Sequence, residues 1–344
     1  METLNRLELK TKFDNYKVDN PKSRIREAAK QLGVTEADLV SVSSNNILLR
    51  PDFTSILNNI HTLGEVMALT RNDHAVHERK GIYSKATFHS QIGLITNPDI
   101  DLRLFMHDWK FVFAVNENER ESIQFFDRFG DAIHKIYLTD KSNHDAYTSL
   151  IEKYKEDVNN IKVELKPFNA SVEKLDEDID VEGFQTEWKN LKDTHDFFGM
   201  LKKYGISRRQ SMRVAPKGFT LQLSNNQAET LLNLVSSSGI DFMVFVGNNS
   251  CLQIHTGKAT KVVRTGPWIN VLDPMFNLHL NDQAIDSLWM VRKPTNLGLV
   301  HSIEAFDRDG NLIIQFFGKR KPNIPENEDW RKLVKELENQ HETN

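Results

Sequence analysis

The chain has 344 residues, 39% hydrophobic and 27% charged, with 16 Gly and 10 Pro. That length fits about two domains, and the composition excludes a disordered, collagen-like or low-complexity chain. Lys and Arg number 44 against 48 Asp and Glu, and the formal charge of −4 argues against a general nucleic-acid or anionic-membrane binder.

The N-terminal Met1-Glu2-Thr3-Leu4-Asn5-Arg6 carries charge where a signal peptide needs an apolar run. No stretch reaches the ~20 apolar residues of a membrane span, so no membrane insertion is expected. Residues 23–31 read as a helix ending at Gly33, and Thr35-Glu36-Ala37-Asp38 is a capping box that opens a second short helix. The pair has the glycine-turn pattern of a helix-turn-helix. Its second helix starts acidic, where a DNA reader needs Arg, Lys, Asn or Gln. It reads as a structural pair, with a helix-turn-helix DNA-binding regulator as the remote alternative. Strands are predicted at residues 66–70, 101–105, 111–115, 123–126 and 132–137. Between the last two lies a hairpin turn, with Gly130 available for a positive φ. Residues 166–182 hold Pro167 and an acidic run, and read as a solvated linker. Beyond it a helix runs to Tyr204, stopped by Gly205. Ser207 then caps another helix, with Gln210 three residues later, and strands follow.

The chain repeats itself. Ser122-Ile123-Gln124-Phe125-Phe126-Asp127-Arg128-Phe129-Gly130 returns as Ser302-Ile303-Glu304-Ala305-Phe306-Asp307-Arg308-Asp309-Gly310, six of nine positions identical. Met67 and Gly81 return as Met243 and Gly257. Helices followed by strands in each half argue an α+β fold with antiparallel sheets, duplicated in tandem. The repeats are placed at 1–170 and 171–344.

Phe184, Trp188, Leu191, His195 and Phe198 follow spacings of 4, 3, 4 and 3, one apolar stripe of a helix. Within it His195 fits either a buried core histidine bonded to a neighbour or an axial metal ligand on an apolar wall, as a haem iron requires. Arg103, Arg208, Arg209, Lys293 and Arg320 each read singly as solvent-facing charge; together they offer cations for carboxylates. His74-Ala75-Val76-His77-Glu78 departs from the H-E-x-x-H zinc pattern and reads as a polar loop; His77 is kept as a minor second metal ligand. Phosphate-cradling glycine loops and the G-x-S-x-G elbow do not occur. The one cysteine, Cys251, permits no internal disulfide and no multi-cysteine metal site, which suits a reducing cytoplasm; its strand context points to packing.

As a whole the chain resembles the haemin-degrading factor family, the HemS/ChuS/HmuS/PhuS type of bacterial cytoplasmic haem proteins. The resemblance is carried by Arg71-Asn72-Asp73-His74-Ala75-Val76-His77-Glu78, Asn97-Pro98, Asp101-Leu102-Arg103-Leu104-Phe105 and Ser122-Ile123-Gln124-Phe125-Phe126-Asp127. In the second half it rests on Thr194-His195-Asp196-Phe197-Phe198, Met243-Val244-Phe245-Val246-Gly247-Asn248, Gln253-Ile254-His255-Thr256-Gly257 and Arg292-Lys293-Pro294-Thr295. It implies a large antiparallel sheet with packed helices in each half, and haem b bound in a cleft between their elements as substrate or cargo. It implies His195 as proximal ligand, Arg103 as distal group, and Arg208, Lys293, Gln315 and Arg320 on the propionate side. Phe105, Phe245 and Ile254 would form apolar wall, and Phe317 stands where the family usually has Tyr. Two activities are implied: haem degradation releasing iron with an external electron donor, or haem carriage to a partner oxygenase. The partners implied are haem, a reductase or haem oxygenase, and a haem importer, with no nucleic acid. The oligomeric state stays open.

Overall fold

The computed structural model describes residues 6–156, 161–166, 173–320 and 324–342. The chain divides into two compact units. The first takes the chain up to Thr70, then Glu78–Phe168 and Asn248–Gln253; the second takes Arg71–His77, Asn169–Gly247 and the chain from Ile254 onwards. The expected boundary between 170 and 171 lies outside the described residues, as does Pro167.

The first half of the chain runs α1 (Arg6–Asp19), α2 (Ile25–Leu32), α3 (Glu36–Val42), β1 (Ile47–Leu49), α4 (Phe53–Asn59), β2 (Gly64–Arg71), β3 (Ala75–Ile82), β4 (Thr87–His89), β5 (Ile92–Thr96), β6 (Asp101–Phe105), β7 (Trp109–Glu117), β8 (Arg120–Asp127), β9 (Ala132–Ser142) and α5 (His144–Tyr154). The second half runs α6 (Val181–Lys189), α7 (Asp196–Tyr204), α8 (Arg208–Arg213), β10 (Thr220–Leu223), α9 (Gln227–Ser238), β11 (Phe242–Gly247), β12 (Cys251–Gly257), β13 (Val262–Thr265), β14 (Trp268–Leu272), β15 (Phe276–Asn281), β16 (Ser287–Thr295), β17 (Gly298–Phe306), β18 (Leu312–Gly318) and α10 (Glu328–Glu342). The strands belong to two large antiparallel sheets. In the first unit the strand order β1-β7-β8-β9-β2 is matched in the second by β10-β16-β17-β18-β11, and β6-β5-β4 by β15-β14-β13. The duplication read from the sequence is therefore a duplication of topology. It extends to a detail: the ladder slips register between Phe125 and Phe126, and again between Ala305 and Phe306. The extra residue lies on the partner strand in each repeat, Ile133 in β9 and Ile313 in β18.

Strand alternation divides each five-stranded portion between two cores. In the first unit Val112 and Ala114 pack with α4 and α5, while Phe111, Phe113 and Val115 pack with α1–α3. In the second, Leu288 and Met290 pack with α9 and α10, while Val291 and Phe306 pack with α6–α8. Local signals set the helix ends. Thr35 makes the capping box of α3, and Gly33 and Gly205 end α2 and α7 at φ +68° and +64°. Helix α3 is buried along nearly its whole length, so it offers no face to a DNA groove, contrary to the remote regulator alternative.

Two further expectations are corrected. Residues 75–82 form a strand, so His77 lies in β3 and not in a polar loop. The acidic run is no free linker: Asp176–Asp178 is a 3-10 turn, and Asp176 and Glu173 accept hydrogen bonds from Arg213 at 3.0 and 3.1 Å.

One buried polar chain lies in the core of the first unit. His134 is bonded through Nδ1 to Thr70 Oγ1 at 2.8 Å and through Nε2 to the Tyr83 hydroxyl at 2.6 Å, and Cys251 Sγ is 3.5 Å from Thr70 Oγ1. Burial pushes the Cys251 thiol up to about 12, so it is inert packing, and brings His134 down to about 3. The unfolded ring titrates near ~6.5, so on acidification the unfolded state takes up the proton first. Stability is thus undiminished above about pH 6.5 and falls by about 1.4 kcal/mol per unit between there and the folded pKa. His134→Ala should cost about 2–4 kcal/mol at pH 7.5 by leaving two hydroxyls without their partner, and should remove that slope. Urea unfolding from pH 7.5 to 4 measures both; an unchanged slope in the variant would rule out the neutral histidine.

Candidate functional site

The helical stripe predicted around His195 is broken. Helix α6 stops at Lys189, α7 begins at Asp196, and His195 is the N-cap of α7. Phe184, Trp188 and Leu191 are buried, but the His195 side chain is 91% exposed and Phe198 72% exposed. The cause is the intervening turn. The Asp193 carboxylate accepts the His195 backbone N–H at 2.9 Å and its ring Nδ1 at 2.6 Å. The His195 backbone bond, above the ring contact, also holds Asp193 below the usual carboxylate range. An ionised carboxylate only accepts, so Nδ1 carries the hydrogen of this bond and Nε2 is the ring nitrogen left for another partner. This is how a carboxylate orients a metal-binding imidazole.

Behind this turn, α7 and α8 rest on the face of β16–β17–β18–β11 that carries Lys293, Ser302, Glu304, Gln315, Phe317 and Phe245. The register places Glu304 opposite Gln315 and Gln315 opposite Phe245. Glu304 is fully buried. Arg208 donates to it through Nε at 2.7 Å and Nη2 at 3.1 Å, and Lys293 Nζ at 2.7 Å. Lys293 also lies 4.6 Å from the centroid of the Phe197 ring, and Arg208 5.5 Å. Arg208 and Lys293 are therefore not the solvent-facing charges that each suggested alone. Burial would raise the Glu304 carboxyl, but the two cations outweigh it and hold it well below the carboxylate range. Burial brings Lys293 down to about 8, Glu304 opposing and Arg208 reinforcing that fall.

Two donors, one on this face and one two residues beyond the end of β18, await an acceptor. Gln315 Nε2 and Arg320 Nε are buried atoms with no hydrogen-bond partner among the described residues. Arg320 Nη1 donates to Thr194 Oγ1 at 3.2 Å, one residue from His195. Buried donors of this kind are ordinarily satisfied, so the set fits an anionic ligand, a carboxylate above all. The Phe245 and Phe317 rings pack at 4.9 Å, and Ile254 is buried in β12. Phe317 stands opposite Ser302 as Tyr137 stands opposite Ser122, so the second unit has lost a hydroxyl that the first keeps.

The remaining candidates lie elsewhere. Arg103 and Phe105 are on β6 of the first unit, where Arg103 is ion-paired with Asp101 and the Phe105 N–H donates to Ser250 O at 2.9 Å. His77 is fully buried, 5.1 Å edge-on to Phe276 and 6.3 Å from the His255 ring. Among the described residues no group of three His, Cys, Asp or Glu side chains is placed to hold a metal ion. Sequence reading missed Asp193, Phe197 and Glu304. The signal for Glu304 was present: it is one of three changed positions in the nine-residue repeat, replacing Gln124.

The family described as "Haemin-degrading HemS.ChuX domain" matches residues 33–154 and 205–337. The chain is 36% identical over 340 residues to the hemin transport protein HemS of Yersinia enterocolitica, covering 96% of this chain and 98% of the relative. It is 36% identical over 332 residues to the hemin transport protein HmuS of Yersinia pestis, covering 94% and 95%. Among solved structures it is similar to apo-PhuS, a heme-binding protein from Pseudomonas aeruginosa, with TM-score 0.94, 42% identity and coverage of 96% and 99%. It is also similar to ChuS, described as an E. coli heme oxygenase, with TM-score 0.84, 36% identity and coverage of 92% and 96%.

The ion trio makes a direct stability test. Arg208→Met leaves Glu304 with Lys293 as its remaining cation, and breaking a buried pair costs several kcal/mol when no partner remains. With one partner kept, a loss of about 2 kcal/mol is expected in urea unfolding at pH 7. A change near zero would place the Arg208 contact among surface ion pairs.

Proposed function

The chain belongs to the haemin-degrading HemS/ChuX family, and from that premise we propose that it binds haem b and degrades it to release iron. The observation that carries this reading is the combination in the second unit. An outward imidazole nitrogen is oriented by Asp193, beside cations and buried donors that lack an acceptor.

In this reading His195 Nε2 is the proximal ligand. Arg320 and Gln315 supply donors to the propionates, with Arg208 and Lys293 next to them. Phe245, Phe317, Ile254 and Phe105 are apolar wall. Arg103, carried by the family resemblance, is the distal hydrogen-bond donor. Bound and reduced, haem supplies the iron centre at which dioxygen is activated; ring opening also consumes electrons from an external donor, a reductase among the proposed partners. The protein's own contribution is orientation. Asp193 fixes the imidazole tautomer, and the Glu304 trio fixes α7 and α8 on the sheet. Among the described residues no helix is long and apolar enough to cross a membrane. The cytoplasm is the proposed location, supported by the free Cys251.

Carriage is the second reading, favoured by the 91% exposure of the His195 side chain. A ligand this accessible is easily exchanged for one on a partner oxygenase, or loaded from a haem importer. An absorbance time course of the haem complex, with reductant and catalase present, separates the two. Soret loss with a tetrapyrrole product marks an enzyme, and haem passed intact to a partner marks a carrier.

His195→Ala should lower haemin affinity about 10–100-fold, the scale seen when metal-site partners are lost, and should change the Soret band. Asp193→Asn should give a smaller loss, about tenfold, because the ring survives but its orienting acceptor weakens. Haemin titration followed by absorbance checks both. Unchanged affinity and spectrum in His195→Ala would show that the iron is held elsewhere.

A further inference from the structure

The two repeats clasp helix to sheet with opposite charge. In the first unit the residue after the capping Thr35 is Glu36, which accepts from Lys135 Nζ at 3.0 Å; Lys135 stands opposite the neutral Gln124. In the second unit the residue after the capping Ser207 is Arg208, paired with Glu304, and Glu304 stands opposite the neutral Gln315. The second unit adds Lys293, where the first has Glu117 at the equivalent register. Burying a second cation beside the first is costly.

We propose that Glu304 is a positioning residue of the haem site: by accepting from both Arg208 and Lys293 it keeps the buried lysine charged and aimed, and so makes this face selective for the carboxylates of a porphyrin diacid. The inference rests on the haem reading above and deepens it.

The surroundings of Lys293 leave this task to Glu304. Glu304 and the Ser302 hydroxyl face it from β17 at 2.7 and 3.4 Å, Arg208 adds positive charge from α8, and α7 contributes the Phe197 ring. Burial and Arg208 both favour the neutral amine, and Glu304 opposes them. With Glu304 the trio carries one net positive charge. Without it the lysine would shed its proton and the face would lose a carboxylate partner. A charged Lys293 favours a bound propionate, so affinity for a diacid must fall as pH rises past about 8.

The test is a fluorescence titration of the full chain with zinc protoporphyrin IX, and with its dimethyl ester, from pH 6 to 10. Zinc in place of iron removes redox chemistry from the readout. In the parent protein, affinity for the diacid should fall above about pH 8, and affinity for the ester should stay level. In Glu304→Gln the fall should begin at least about one unit lower, so that at pH 7.5 the diacid binds at least about threefold more weakly. Lys293→Met, which keeps the Arg208–Glu304 pair, should abolish the step and serves as the readout should Glu304→Gln not fold. A Glu304→Gln profile that overlays the parent, or a step that survives Lys293→Met, would overturn the proposal and leave the haem reading standing. Failure of the parent to bind the diacid at any pH would overturn the haem reading itself.

Discussion

A carboxylate with no exposure to water must be paired, and Glu304 is paired twice. Its cations come from the first residue of α8 and from β16, so satisfying it fixes a helix against a sheet. The same two cations close over Phe197, and Phe197 packs on Trp188 with ring centroids 4.6 Å apart. Helices α6, α7 and α8 are thereby tied to one buried charge. The turn carrying Asp193 and His195 lies between the first two of them. Its imidazole can stand in solvent and still be aimed, because its orientation comes from Asp193 and its position from the helices on either side.

The duplication shows how one scaffold serves two ends. Both units keep the strand order, the bulge after position 125 or 305, the capped short helix and the left-handed glycine before it. Charge is what differs. Glu36, Gln124 and Lys135 give way to Arg208, Glu304 and Gln315, and the segment before the glycine carries Arg24 as its helix cap where the second unit carries His195. A neutral-to-acid change at one strand position accompanies the appearance of two cations around it.

Much of this was legible in the sequence because it is written locally. Gly33, Gly205, Thr35 and Ser207 mark helix ends by backbone geometry and capping, which act within a few residues. The repeat around 122 and 302 exposed the duplication, and alternation placed β6 at Asp101–Phe105. The site was less legible, for a physical reason. The periodic stripe through His195 runs straight across a non-helical turn, since apolar spacing persists wherever two short helices pack on one core. Asp193, a capping residue type two positions earlier, marks the break. Arg208 looked like surface charge because Glu304 is 96 residues away in sequence, and Lys293 because its partner, 11 residues on, is reached only across the β16–β17 hairpin.

Central to this account is that the face of the second unit, and not its equivalent in the first, holds the porphyrin. Amide hydrogen exchange of the full chain, with and without saturating haemin, tests this most directly. Peptides over residues 193–198 and 315–320 should exchange more slowly with haemin, while the equivalent peptides over 23–29 and 135–140 should be unchanged. Protection confined to 23–29 and 135–140 would contradict it.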